Sequence, residues 1–172
     1  MRNGPHPHPA MRIPFSVLIL LAALFTLPGC ETVPVASEDL HGPEVPPGQG
    51  TEAILAGLVV QHRAALGCGP IVWVEAVAAA AELHAVDMAT DGWWGHQGPN
   101  GESMQGYLKA HGVNAALAGD ALARNFRGGD AERAILAAWL QSPAHRAILE
   151  DCRFRAYGVG HEAGYWTWYG VR

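Results

Sequence analysis

The sequence predicts one α+β domain in which helices pack in layers against an antiparallel sheet. Two observations support this class. From about residue 51, segments with the 3.6-residue apolar period of helices come first, and alternating segments that end in a hairpin pattern follow. The segment 51–172 is long enough for one domain with a core and too short for two.

Three helices are predicted in the first part of this domain. The first begins near Thr51, a residue that can cap a helix, and keeps its apolar period until Gly67. The second spans about 75–90 and is rich in alanine, which favours close helix packing. On its apolar face His84 is interpreted as a core histidine rather than a ligand. The third spans 103–111 and ends before a glycine.

A fourth helix and a short helical turn carry the next prediction. Asp130 is the expected N-cap of the fourth helix, and Ser142 caps the turn, with Pro143 at its first helical position. His145 then lies in the first turn, where the positive end of the helix dipole favours a neutral imidazole. Ser142 is interpreted as a cap rather than a nucleophile because no G-x-S-x-G pattern surrounds it.

Strand signals lie between and after these helices. Alternation over 122–126 places Leu122 and Arg124 on one face and Asn125 on the other. The segments 157–161 and 165–169 predict a hairpin whose turn contains glycine.

The first thirty residues predict export. Arg12 precedes an apolar run over 13–27 that is too short for a membrane span, and Leu27-Pro28-Gly29-Cys30 resembles a lipobox. We therefore interpret 1–29 as a lipoprotein signal peptide and Cys30 as the lipidated residue. A buried helix, a single-pass anchor and a plain signal peptide are the alternatives.

These assignments place the protein in the cell envelope. A lipid on Cys30 predicts membrane attachment at the periplasmic face, on the outer membrane if the cell has one. Residues 30–50 are rich in proline, glycine and acids and are interpreted as a flexible tether. With the folded domain at 51–172, the exported part is acidic. Removal of 1–29 takes the formal net charge from −5 to −7 and leaves a single lysine, so we expect no nucleic-acid partner.

Two cysteines remain if Cys30 carries a lipid. Cys68 and Cys152 form an even pair, which in an oxidising compartment predicts a disulfide. The alternative is two separate buried thiols, which behave as small apolar side chains.

Three stretches resemble the bacterial members of the CAP superfamily (cysteine-rich secretory proteins, antigen 5 and pathogenesis-related 1), also called SCP domains. Residues 95–101 (GHQGPNG) are similar to a histidine segment that follows the family's second helix. Residues 139–149 (WLQSPAHRAIL) resemble the signature W-x-x-S-P-x-H-R-x-I-L. Residues 154–160 (FRAYGVG), followed by Tyr165-Trp166, resemble its final hairpin. The second stretch is the most specific because of its length and spacing.

The resemblance implies a three-layer α-β-α sandwich with a small antiparallel sheet and one cavity. In the family, two histidines and acidic residues line that cavity, and one acid comes from a Gly-Glu-Asn strand. Residue by residue, His96 and His145 match the histidines. Ala123-Arg124-Asn125 stands where Gly-Glu-Asn is expected. The resemblance thus implies a cavity lined by His96, His145, Arg124 and Asn125.

A divalent metal at these histidines is the cofactor that the resemblance raises. Two imidazoles and carboxylates suit zinc. An arginine in place of the glutamate removes a ligand and repels the ion, because a charge pair at ~4 Å contributes about 4 kcal/mol at an effective dielectric near 20. We therefore expect no resident cofactor, and at most weak zinc binding through His96 and His145.

Three functions compete at this point. The first is a non-catalytic binding or envelope-interaction module whose partner is a small ligand, a lipid or an envelope component. The second is a metal-assisted hydrolase of cell-wall peptide or glycan that uses His96 and His145. The third is lipid or sterol carriage. Trp93, Trp94, Trp166 and Trp168 offer a sugar- or lipid-contacting rim, although a core role is expected for two of them.

Overall fold

A computed structural model describes residues 50–172. The predicted signal peptide at 1–29, the predicted lipidation site Cys30 and nearly all of the predicted tether lie outside these residues. The elements in chain order are α1 (Thr51–Ala65), β1 (Val72–Trp73), α2 (Glu75–Asp91), α3 (Met104–Ala110), β2 (Ala118–Arg124), α4 (Ala131–Gln141), α5 (Pro143–Leu149), β3 (Ala156–Glu162) and β4 (Tyr165–Val171).

The strands form one mixed sheet in the order β1-β3-β4-β2. β4 is antiparallel to both β3 and β2, as predicted, with Gly158 opposite Tyr169 and Asp120 opposite Tyr169. The two-residue β1 adds to β3 in parallel, and two residues are too few to produce a period in the sequence. β2 is an edge strand of the described sheet, and five of its seven residues are buried.

Helices cover both faces of the sheet, which gives the predicted three-layer α-β-α sandwich. On one face, α1, α4 and α5 pack around Trp166 and Trp168, which are 1% and 0% exposed. On the other face, α2 and α3 pack around Tyr169 and Val171. Alternation along β4 sends successive side chains to opposite layers. The core role expected for two of the four tryptophans is therefore confirmed for Trp166 and Trp168.

α2 lies directly on β3 because β3 presents glycine at the contact. A Cβ atom on Gly158 would come within 2.2 Å of the backbone nitrogen of Ala78. A Cβ atom on Gly160 would come within 2.1 Å of the backbone nitrogen of Glu82. The alanines of α2 complete this close packing, as the sequence suggested. The position of α2 on the sheet is thus fixed by backbone contact.

The hairpin and the helix ends differ slightly from the predictions. The turn between β3 and β4 consists of Ala163 and Gly164, whose φ values of 49° and 88° are those of a two-residue type I′ turn. Thr51 is the first residue of α1 and Gly50 takes the cap position, while Asp130 caps α4 without a side-chain hydrogen bond. Ser103 does accept a hydrogen bond from the Gly106 amide at 3.1 Å.

Candidate functional site

A hydrogen-bonded pair stands beside the edge strand. His96 lies in the loop after α2, and its Nδ1 is 2.8 Å from Oδ2 of Asp120 on β2. A carboxylate only accepts, so Nδ1 donates to it, and in the neutral form of the ring Nε2 keeps its lone pair. The His96 side chain is 61% exposed, whereas that of Asp120 is 13% exposed. The structure therefore presents an oriented imidazole to solvent on a largely buried carboxylate.

Asp120, rather than Arg124, occupies the strand position that contacts His96. β2 begins at Ala118, four residues before the predicted start, because pairing with β4 extends it through small residues of low strand propensity. Four residues along a strand span about 13 Å, and the Arg124 guanidinium lies instead on the Trp94 ring, 4.9 Å from its centroid. The acid that contacts His96 thus follows Gly119, as the glutamate follows the glycine in the strand that the resemblance implies.

Asn125 lies beyond the end of β2. It is exposed, and its backbone amide donates to the carbonyl of Gly164 at 3.0 Å. Its φ of 66° is in the left-handed region, which asparagine tolerates better than most residues. Asn125 therefore terminates the strand beside the hairpin turn, and the structure does not bring it to the histidines.

α4 and α5 bring His145 to the pair from the opposite layer. Trp139, which is 1% exposed, donates its indole N–H to the Leu122 carbonyl at 2.8 Å and anchors α4 to β2. The chain leaves α4 at Ser142 and re-enters a helix at Pro143, as predicted. The centroids of the His145 and His96 rings are then 6.3 Å apart. We call His96, Asp120 and His145 the histidine cluster.

His145 has a lowered pKa. Burial is the largest cause, and repulsion from the His96 charge adds to it, while the Asp120 carboxylate acts in the opposite direction. The neutral ring expected from the sequence is therefore supported, although burial rather than the helix dipole is the main reason.

His84 holds the loop that carries His96. It is completely buried, and its Nε2 donates to the carbonyl of Gly95 at 3.0 Å, directly before His96. Its Nδ1 is 2.8 Å from the Tyr169 hydroxyl, which donates to it, and its ring stacks on Tyr107 at 4.8 Å. Burial lowers the pKa of His84. The interpretation of His84 as a core histidine is confirmed, and its position adds a role in placing His96.

Two exposed tryptophans lie on the same loop. Trp93 and Trp94 are 44% and 37% exposed, and the Trp93 indole N–H donates to the Gln97 carbonyl at 2.7 Å. The Arg124 guanidinium lies 4.9 Å from the centroid of the Trp94 ring, and Tyr165 packs beside that ring at 6.3 Å. We call Trp93, Trp94 and Arg124 the tryptophan rim. Arg124 thus joins a stacked aromatic surface.

A disulfide and a buried arginine hold the far end of α5. Cys68 and Cys152 are bonded, with Cα atoms 5.0 Å apart, which confirms the predicted pair. Arg63, 1% exposed, donates Nη1 to the carbonyl oxygens of Leu149 and Asp151 at 2.5 and 3.1 Å. These contacts tie α1 to the end of α5, and so limit how far His145 can move.

The residues present fit a metal ion poorly. Within the described range, no group of three or more His, Cys, Asp or Glu side chains is arranged to hold one. His96 and His145 can offer one nitrogen each, while Asp120 is engaged with Nδ1 of His96. A structural zinc site needs four protein ligands and a catalytic one usually three. The histidine cluster therefore lacks a full ligand set for a tightly held cation.

Two further histidines, His62 and His161, have local partners. Nε2 of His62 is 3.0 Å from Oε1 of Glu150. His161 stacks on Trp166 at 3.9 Å, and its Nε2 accepts from the Gly164 amide at 3.2 Å. These contacts explain both residues structurally. None of the helices between residues 50 and 172 combines the length and apolar character needed to span a bilayer.

Comparisons with known proteins identify the family. Residues 57–170 match the cysteine-rich secretory protein family, CAP. The chain belongs to this family. The match covers α1 to β4 almost completely, so it includes the histidine cluster, the tryptophan rim and the disulfide. A search of curated proteins gave no match.

Solved structures show the same fold. An extracellular protein of Bacillus anthracis containing an SCP domain shares 25% identity at a TM-score of 0.66, over 70% of this chain and 40% of that one. An outer surface protein of Borrelia burgdorferi shares 17% identity at a TM-score of 0.61, over 69% of this chain and 90% of that one. A cysteine-rich secretory protein of Staphylococcus aureus shares 14% identity at a TM-score of 0.59, over 69% of this chain and 36% of that one. The match thus spans less than half of the length of the Bacillus anthracis and Staphylococcus aureus proteins.

Proposed function

We propose that this protein is an exported CAP-domain module that binds a sugar-containing component of the cell envelope without cleaving it. The observation that carries the proposal is the position of the tryptophan rim on the loop that also presents His96. An apolar flat surface and a set of hydrogen-bonding groups therefore stand side by side.

A sugar ring presents both kinds of surface. Its C–H faces pack on aromatic rings, and its hydroxyl groups both donate and accept hydrogen bonds. Trp94 is held in place by Arg124 and Tyr165, so it loses little conformational entropy on binding. Nε2 of His96 can accept from a hydroxyl group, and Arg124 offers donors to a carboxylate of the glycan. These properties favour an acidic or amide-bearing cell-wall glycan over a plain lipid.

The absence of a nucleophile–base pair in residues 50–172 supports binding rather than cleavage. No serine, threonine or cysteine in that range is hydrogen-bonded to a histidine, and Cys68 and Cys152 are consumed by the disulfide. Nucleophilic catalysis requires the nucleophile and its base within hydrogen-bond reach. The metal route lacks ligands, because the histidine cluster offers too few free donor atoms.

One observation favours the hydrolase as second candidate. Asp120 orients His96 with Nε2 free, and this is the arrangement of a general base with its orienting carboxylate. Burial keeps His145 neutral near pH 7, so it too could take up a proton. In the hydrolase, a water molecule activated between these two rings would cleave the bound ligand. In the proposed binding module, the ligand stays intact. Product formation distinguishes the two candidates.

Attachment to the envelope is part of the proposal. The lipobox-like Leu27-Pro28-Gly29-Cys30 supports a lipid on Cys30, and two fold neighbours are described as extracellular or outer-surface proteins. Mass spectrometry of the membrane fraction should find an acylated N-terminal Cys30 in the mature chain. A mature N-terminus at another residue, or an N-terminal Cys30 without an acyl group, would contradict lipid anchoring.

The binding test uses the purified full-length protein and muramidase-solubilised peptidoglycan fragments. Trp94→Ala is expected to weaken binding roughly three- to tenfold, the effect of losing one aromatic contact. His145→Ala tests the cluster, and Leu83→Ala, an exposed apolar residue on α2, is the matched control. Saturable binding that both test variants weaken supports the module. Release of smaller fragments that depends on His145 would establish the hydrolase instead. Binding of lipid vesicles but not of fragments would favour lipid carriage.

A further inference from the structure

A cavity of about 270 Å³ opens between the start of α1, the β2–α4 connection and the β3–β4 turn. Its walls include Thr51, Phe126, Ala131, Glu132, His161 and Trp166. We call it the hairpin pocket. It lies on the other side of the sheet from the His96–Asp120 contact. Trp166 belongs to the α1 and α4 side, whereas Asp120 lies opposite Tyr169, whose side chain faces α2 and α3.

Glu132 is the unusual member of this pocket. The residue is 5% exposed, and within the described part of the chain it has no hydrogen bond or ion pair to another side chain or to the backbone. Its carboxylate oxygens are not among the buried atoms without a partner, so they are open to the solvent of the pocket. A ligand that displaces this solvent must replace its hydrogen bonds, because an unpaired buried charge costs several kcal/mol. Glu132 stands in the first turn of α4, where the helix dipole favours a carboxylate. That position stabilises the negative charge but does not supply a hydrogen-bonding partner.

The neighbouring polar groups are already engaged with each other. Nε2 of His161 accepts from the Gly164 amide, and its Nδ1 is 3.5 Å from Oε1 of Glu52. Arg127, the one arginine or lysine among the lining residues, donates Nη2 to the Ala163 carbonyl at 2.6 Å. Arg127 keeps its positive charge in this contact, but its guanidinium is directed to the Ala163 carbonyl. Among the lining residues, the Glu132 carboxylate is the negative group without a protein partner, and Glu52 behind His161 adds to the negative potential.

Aromatic and small apolar side chains form the rest of the wall. Phe126 and Trp166 supply ring surfaces, and the negative faces of such rings attract cations. A volume of about 270 Å³ suits a small ligand rather than a peptide. A ligand that satisfies the pocket therefore needs one positive group and a compact apolar body.

We propose that the hairpin pocket binds a small organic ammonium ion, with Glu132 as its counter-ion and Phe126 and Trp166 against its apolar part. An ammonium ion donates to the carboxylate that lacks a partner, and its apolar part replaces water against the rings. A fatty acid or another anion would place a second negative charge beside Glu132. A neutral apolar ligand would displace the solvent from the carboxylate without replacing its hydrogen bonds. This site is independent of the proposed glycan binding.

Three probes of nearly equal shape test the charge requirement on the full-length protein. Benzylammonium should bind saturably and shift the indole N–H resonance of Trp166 in proton–nitrogen NMR spectra. Benzyl alcohol should bind at least tenfold more weakly, and benzoate should not bind. Equal binding of benzoate, or no saturable binding of benzylammonium, would overturn the proposal.

Two variants test the assignment of Glu132. Glu132→Gln keeps the side-chain volume and removes the charge, so benzylammonium binding should weaken at least tenfold while the melting temperature stays close to that of wild type. Glu102→Gln, an exposed acid outside the pocket, is the matched control and should bind normally. Ala131→Leu fills the cavity and should abolish binding of benzylammonium and of benzyl alcohol. Unchanged binding in Glu132→Gln, or in Ala131→Leu, would refute the site.

Discussion

His84→Phe tests the claim that a buried histidine positions the His96 loop. The phenyl ring keeps the stacking surface against Tyr107 but removes both ring nitrogens. The Tyr169 hydroxyl, in a residue that is 0% exposed, loses its acceptor, and the half-buried Gly95 carbonyl loses its donor. A buried polar group left unpaired costs about 1–3 kcal/mol. The free energy of unfolding should therefore fall by about 2–4 kcal/mol. The half-buried Gly95 carbonyl contributes about 1 kcal/mol of this, the lower limit for one unpaired group.

Urea denaturation of a double-mutant cycle isolates the His84–Tyr169 hydrogen bond. Tyr169→Phe alone leaves Nδ1 of His84 unpaired, and the double variant removes both partners of that bond. The double variant should be about 1–2 kcal/mol more stable than the sum of the single losses predicts. Additive losses would refute the hydrogen bond as the cause, since the residues would then act independently.

The same variant has a local consequence at the histidine cluster. Without the donor to the Gly95 carbonyl, the loop of residues 95–97 is held mainly by the Trp93 indole and by the His96–Asp120 contact. Amide hydrogen exchange of these residues should accelerate in His84→Phe relative to the rest of the domain. Unchanged exchange there would contradict the positioning role of His84.

Three further predictions concern stability. Gly158→Ala should lower the free energy of unfolding, measured by urea denaturation, by about 2 kcal/mol or more, because its Cβ would lie 2.2 Å from the Ala78 nitrogen. The control Gly69→Ala, which has open space around it, should change this free energy by less than about 0.5 kcal/mol. Replacing the Cys68–Cys152 disulfide by two serines should lower the unfolding free energy by up to about 4–5 kcal/mol, since the bond closes a loop of 84 residues; a loss below about 1 kcal/mol would be evidence against this. His84 and His145 have a lowered pKa in the folded protein, so they bind protons more readily after unfolding. The free energy of unfolding should therefore be highest above about pH 6.5 and should decline as the pH falls below that value. Urea midpoints that rise on acidification would contradict this sign.

Much of the fold was predictable because its signals are local. The helices, the hairpin and the break at Ser142-Pro143 all follow from period, turn residues and caps. The signature around His145 is largely structural. Trp139 anchors α4 to β2, and Leu149 is buried in the core. Such residues can be recognised from the sequence because packing requires them at fixed spacing.

Asp120 shows where sequence reasoning ends. It stands among alanine and glycine, so no alternation marks its strand, and only pairing with β4 extends β2 to it. The nearest signal was the Gly119-Asp120 pair, which preserves the glycine and acid of the family strand. The hairpin pocket was likewise hidden, because Phe126, Glu132 and His161 come from three separate segments. Tertiary contacts, and not local propensity, determine both features.

The most direct test of the proposed function is a titration of solubilised peptidoglycan fragments followed on the histidine rings. Long-range proton–nitrogen NMR spectra report the ring nitrogens of His96 and His145 together with the indole N–H of Trp94. Glycan binding at the cluster and rim predicts that all three sets of resonances shift with one dissociation constant while the fragments stay intact. Shifts confined to Trp94, no shifts at saturating fragment, or the appearance of cleavage products during the titration would contradict it.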